Sequence, residues 1–137
     1  MATDRRAKAT GKKGNGAYLG IPHSVLNSDA YKSLSGWDVK LLIDISVQFT
    51  GFNNGDLNAV WSQLQHKGWH SKGTLNSSLK KLQEVGMIQQ TRQGGRNRCS
   101  LYAVTWRPID ECKGKLDVKE TQAPSGLYRN YQPPGQH

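Results

Sequence analysis

Between Leu57 and Gly86 the chain repeats one pattern twice: a short segment with apolar residues at helical spacing, closed by a glycine. In LNAVWSQLQHKG, Leu57, Val60, Trp61 and Leu64 stand at i, i+3, i+4 and i+7. That spacing predicts an amphipathic helix of about three turns. Asp56 or Asn58 is the candidate N-cap and Gly68 the left-handed stop. A few residues later, SKGTLNSSLKKLQEVG carries Leu75, Leu79 and Leu82 on one stripe, capped by Ser71 and closed by Gly86. At 100° per residue the opposite face holds Gly73, Asn76, Ser77 and Lys80, flanked by Thr74 and Lys81. That outer face is short, polar and basic, with its one acid, Glu84, near the far end.

The flanking segments complete the outline. HSVLNSDAYKSL, His23 to Leu34, predicts a short helix entered after Pro22, and Ser35-Gly36-Trp37-Asp38 has capping-box spacing ahead of VKLLIDISVQF. There Val39, Leu41, Ile43, Ile45, Val47 and Phe49 alternate as in a strand, while Leu41, Leu42, Ile45 and Phe49 share a helical face. The length and the cap favour a buried helix. GFNNGD, Gly51 to Asp56, clusters turn formers. After Gly86, MIQQTRQ and CSLYAVTW predict two strands around GGRNR, with Gly94-Gly95 supplying the unusual backbone angles of the hairpin.

The ends differ in composition. Residues 1–16 hold five basic side chains, Arg5, Arg6, Lys8, Lys12 and Lys13, against Asp4, and nothing large and apolar beyond Met1. Such a segment buries too little to offset its ordering entropy, so a disordered basic arm is expected, either a solvated leader or a tether to phosphates. Its GKKGNG lacks the spacing and preceding strand of a phosphate loop. Residues 107–137 contain four of the five prolines and predict an extended tail, with Ile109, Leu116, Val118, Leu127 and the tyrosines available to pack on the domain, and with Asp110-Glu111 solvated.

Charge narrows the function. Nineteen Lys and Arg against ten Asp and Glu give a net charge of +9, which draws polyanions before any specific contact forms. Nucleic acid is the leading partner and an anionic membrane surface the other. No apolar run reaches the length of a membrane span and no secretory signal stands at the start, so a cytoplasmic location is expected. Cys99 and Cys112 are too few for a disulfide scaffold and lack the paired spacing of a zinc site. His66 and His70 are four apart, but Gly68 interrupts them and no acidic third ligand is near, so no metal or cofactor is expected. No nucleophile has a partnered base and no carboxylates pair in a cleft, which argues against an enzyme.

The order of elements, two helices, a second short-linked amphipathic helix, then a hairpin with a basic tip, is that of a winged helix-turn-helix. The fold expected is therefore mainly α with a small β-hairpin, its domain spanning residues 17–106. Ser71 to Val85 would be the recognition helix and Ile88 to Trp106 the wing. A B-DNA major groove admits such a helix while phosphates are held on either side. Lys72, Gly73, Thr74, Asn76, Ser77, Lys80 and Lys81 are the candidate groove-facing residues, Asn76 being suited to adenine and Gly73 to close backbone approach. Arg92, Arg96, Asn97 and Arg98 are the candidates at the wing. Trp37, Trp61, Trp69 and Trp106 read as core or rim packing.

FNNGDLNAVWSQLQHKGWHSKGTLNSSLKKLQEVGMIQQTRQGGRNRCSLYAVTW also resembles the helix-turn-helix proteins of bacterial plasmids, phages and integrative elements. The shared features are an NNGDL turn, a GW-x-SK-x-TL start to the recognition helix, an L-x-x-x-G-x-I junction and a GG-x-x-R-CSLYA-x-TW wing. The resemblance covers about Tyr18 to Val118. It implies a winged helix and double-stranded DNA binding, as in replication initiators and small regulators. Ser77-Ser78 depart from it, standing where a larger polar or basic residue and an alanine are expected. The alternative is a protein-interaction adaptor that uses the same fold on an acidic partner. Single-stranded or RNA binding ranks below both, because most aromatics stand at core positions. A homodimer through the first two helices or the tail stays open.

Overall fold

A computed structural model describes Gly16 to Gly135. The basic arm expected over residues 1–16 lies, but for Gly16, outside the described residues. Among the described residues the chain forms five α-helices and a two-stranded antiparallel hairpin. The helices are α1 (His23–Leu26), α2 (Asp29–Lys32), α3 (Gly36–Ser46), α4 (Trp61–Leu64) and α5 (Lys72–Glu84), and the strands are β1 (Ile88–Arg92) and β2 (Leu101–Val104).

Where one helix is expected from His23 to Leu34, two single turns form instead. Ser28 divides them: its Oγ donates to the Val25 carbonyl at 2.6 Å and accepts from the Tyr31 amide at 3.2 Å. One hydroxyl thus closes α1 and caps α2, the local competition that serine brings to a helix interior. The capping box forms as expected. Ser35 Oγ accepts from the Asp38 amide at 3.2 Å, and Asp38 Oδ2 accepts from the Ser35 amide at 2.9 Å. With α3 so started, Leu41, Leu42 and Ile45 are buried while Ile43 and Val47 are exposed, which resolves the conflicting periodicities in favour of the helix.

The segment from Leu57 is corrected more substantially. The helix begins at Trp61, not at Leu57, runs a single α-turn and tightens to a 3-10 turn over Gln65–Lys67 before Gly68 stops it at φ 95°. Leu57 is extended: its amide donates to the Tyr102 carbonyl at 3.2 Å and the Tyr102 amide donates back at 2.8 Å. Gln48 holds the next residue the same way, its Oε1 accepting from the Asn58 amide at 3.0 Å and its Nε2 donating to the Asn58 carbonyl at 2.7 Å. Neither Asp56 nor Asn58 is the cap, since the helix starts after Val60. The apolar spacing is real, but two backbone conformations satisfy it, with Leu57 and Leu64 both fully buried.

Leu75 and Leu82 press α5 onto α3, and a tight corner through Gly86 leads into β1. Gly86 has φ 83°, and a Cβ there would stand 2.6 Å from the Leu127 carbonyl oxygen, so only glycine fits. Strands β1 and β2 pair Ile88 with Val104 and Gln90 with Tyr102, then shift so that Arg92 faces Leu101 and Thr91 is the extra residue of a bulge. Thr91 is turned inward, donating from Oγ1 to the Gly55 carbonyl at 2.6 Å.

Packing continues past Trp106. Ile109 and Tyr128 are buried, Gly126 N–H donates to the Thr105 carbonyl at 2.9 Å, and a 3-10 turn covers Leu127–Asn130. Asp110 is not solvated as expected. Its Oδ2 accepts from the Asn54 amide at 2.7 Å, and its own amide donates to the Asn54 carbonyl at 2.9 Å.

Candidate nucleic-acid interface

Helix α5 is placed by the residues just before it. Trp69 is buried, its ring centroid 4.9 Å from that of Trp37, and its Nε1 donates to Asp44 Oδ2 at 2.9 Å. Lys40 completes the cluster, with Nζ 3.1 Å from the same oxygen. The linker into α5 is therefore pinned to α3. Ser71 then caps α5, its Oγ accepting from the Thr74 amide at 3.2 Å.

With Leu75, Ser78 and Leu82 turned inward, Lys72, Gly73, Asn76, Ser77 and Lys80 are exposed along one stripe, and Thr74 and Lys81 flank it half-buried. Ser78 is a core-facing residue and leaves the outer surface to Ser77. Lys72 Nζ lies 5.9 Å from the centroid of the Trp61 ring, so α4 contributes a side chain that steadies the first lysine of α5. Among the described residues no carboxylate pairs with Lys72, Lys80 or Lys81, and the side chains of Asn76 and Ser77 have no hydrogen-bond partner.

The hairpin tip differs from expectation in two respects. Gly94 and Gly95 do not supply the left-handed residue; Asn97 does, at φ 65°, in a tight turn closed by Gly95 N–H to the Arg98 carbonyl at 3.0 Å and Arg98 N–H to the Gly95 carbonyl at 3.2 Å. Asparagine tolerates that region better than most residues. Gly94 is needed for a different reason, because a Cβ would meet the Ser100 amide nitrogen at 2.6 Å. The three arginines also part company. Arg92 donates from Nη2 to the Cys99 carbonyl at 2.8 Å and is half-buried, bracing the hairpin from within. Arg98 donates to the Gln93 carbonyl at 3.2 Å and approaches Asp117 at 3.8 Å. Arg96, beside Asn97 at the extremity, is exposed and has no partner among the described residues.

No protein-family model, curated protein or solved structure matches the chain. What the surface can bind therefore follows from its own chemistry.

Five of the nine acids among the described residues are engaged internally. Asp38 closes the capping box, Asp44 holds Trp69 and Lys40, Asp56 accepts from Lys115 Nζ at 2.8 Å, Asp110 binds the Asn54 amide and Asp117 binds the Gln93 amide at 2.9 Å. The hydrogen bond to Asp56 raises the Lys115 pKa, and burial, with Asp56 and Asp110 nearby, pushes the Cys112 thiol up to about 11. From Ser71 to Ser100 six basic residues (Lys72, Lys80, Lys81, Arg92, Arg96, Arg98) stand against Glu84 alone. Of those six, Lys72, Lys80, Lys81 and Arg96 have no carboxylate partner among the described residues. No helix among the described residues is long and apolar enough to cross a membrane.

Sequence reasoning missed Trp61, Asn54 and Asp117 as parts of this surface or its support. NNGDL marks a turn without revealing that Asn54 is buried. Nothing local marks Asp117, which acts on residues 24 positions away.

Proposed function

We propose that the chain is a winged-helix protein that binds double-stranded DNA by occupancy, as a transcriptional regulator or replication-control factor of a mobile element. Helix α5 would enter the major groove and the hairpin tip would lie on an adjacent phosphate strand. The observation that carries this reading is the α5 stripe. An exposed Lys72, Asn76, Ser77 and Lys80 share one helix face with no carboxylate paired to its lysines among the described residues. A solvated helix face of a folded protein mixes both signs of charge; this one carries one acid, Glu84, at its far end and otherwise offers cations and neutral hydrogen-bonding groups, the combination that phosphates and base edges require. The bridge of Leu57 to β2 adds a third extended partner to the hairpin, and the order α3, short α4, α5, hairpin supports the winged-helix reading.

Lys72, Lys80, Lys81 and Arg96 supply phosphate contacts in this reading, and Asn76 the base contact. Arg92 acts indirectly, keeping the hairpin stiff. The test is fluorescence anisotropy on random duplex and on duplex from the gene's own upstream region at several salt concentrations. Arg96→Ala is expected to weaken all sequences alike and to flatten the salt slope by about one unit. Asn76→Ala is expected to cost ~1–3 kcal/mol on the preferred site and little on random DNA. Absent duplex affinity at low salt, with an acidic protein retained from nuclease-treated lysate, would transfer the basic face to the adaptor reading.

A further inference from the structure

The segment after Trp106 returns to the hairpin at Asp117. Its amide donates to the Thr91 carbonyl at 2.8 Å. Its Oδ2 accepts from the Gln93 amide at 2.9 Å, and its Oδ1 lies 3.8 Å from Arg98 Nη2. A backbone N–H and a guanidinium converging on one anionic group are the donors that protein surfaces commonly offer to a nucleic-acid phosphate. Here a carboxylate of the chain itself occupies them. Leu116, half-buried beside Gly55, and half-buried Val118 fix the backbone on either side, so the position of the carboxylate is built in.

The ion pair is weak by construction. At 3.8 Å, with the two side chains 50% and 53% exposed, water screens most of the attraction, and pairs of this kind contribute little to stability. A phosphate held in place by the rest of a duplex can displace it. We propose that Asp117 is an internal counter-charge for the hairpin, standing in for a DNA phosphate at Arg98 and the Gln93 amide until duplex replaces it. The inference rests on the DNA-binding reading. It gives the C-terminal segment a regulatory part in it: Asp117 lowers affinity for DNA in general, so that occupancy depends more heavily on the α5 stripe and its base contacts.

Asp117→Asn tests this, because the amide retains an oxygen for the Gln93 N–H while removing the charge. Anisotropy titrations of random duplex would compare the wild type, Asp117→Asn, Arg98→Ala, the double variant, and Glu120→Gln, which removes an exposed acid of the same segment. Asp117→Asn is expected to bind about two- to fivefold more tightly, the range that corresponds to an exposed pair, and to steepen the salt slope by about one unit. In the Arg98→Ala background the gain should vanish, and Glu120→Gln should give a smaller one. A gain no larger than that of Glu120→Gln, or one that persists without Arg98, would overturn the inference. A wild type that binds no duplex at any salt would sink the DNA reading instead. Inorganic triphosphate would then decide Asp117 separately: tighter binding by Asp117→Asn with Arg98 present and not without it supports the counter-charge, and equal binding rejects it.

Discussion

Asn54 shows how much one side chain can organise. It is fully buried, its Nδ2 donates to the Val104, Arg107 and Pro108 carbonyls at 3.1, 3.2 and 2.9 Å, and its Oδ1 accepts from the Val104 amide at 2.9 Å. A turn residue thus satisfies backbone groups at the end of β2 and at the start of the C-terminal segment. Asn54→Ala would leave several of those groups buried without partners, and each costs ~1–3 kcal/mol. The expected loss is ~2–4 kcal/mol, read from the urea midpoint at unchanged m-value. A loss below ~1 kcal/mol would mean that water replaces the amide. Ser46 Oγ is the contrasting case, a buried hydroxyl at the end of α3 with no partner among the described residues.

At the scale of elements, α5 depends on its first turn. Its outer face must stay polar, so its place is set by Leu75 and Leu82 beneath, Trp69 before it and the Ser71 cap. Ser71→Ala should cost ~1 kcal/mol of stability, and Ser71→Asp should recover it, because aspartate caps as well as serine and its charge suits a helix N-terminus. The two variants separate folding from binding. If α5 enters DNA, Ser71→Asp restores the urea midpoint yet binds duplex more weakly than the wild type, since the new carboxylate faces phosphate. Equal duplex affinity in Ser71→Asp and wild type would remove the N-terminus of α5 from the interface. The hairpin is a stiff element for comparable reasons: the Thr91 bulge, the Arg92 brace and the Asp117 contact all restrict it.

Over the whole molecule, the C-terminal segment belongs to the folded body. Ile109 and Tyr128 are buried, and burying each stabilises by ~1.5–3 kcal/mol. A chain ended after Trp106 would also lose the Asp110 contact to Asn54 and the packing of Leu127 over Gly86. Its Tm should fall by more than about 10 °C, measured by circular dichroism. An unchanged Tm would mean that the helices and hairpin form a complete core without it.

Local pattern alone determined much of this protein. Ser35 and Ser71 as caps, Gly68 as a stop, the register of Leu75 and Leu82, two strands after Gly86 and the exposed stripe of α5 all follow from interactions within a few residues, where spacing encodes geometry. Tertiary structure decided the rest. Leu57 is extended because Tyr102, forty-five positions on, meets its backbone, and helical spacing cannot reveal a distant partner. Asp110 reads as solvated and Asn54 as a turn former, and nothing local marks Asp117, yet each is engaged by groups brought close only by folding. The arginines of the hairpin are alike in sequence and unlike in structure, because a guanidinium's availability depends on which carbonyl or carboxylate the fold sets beside it. Charge is written in composition; which charges remain for a partner is settled by the contacts that use up the others.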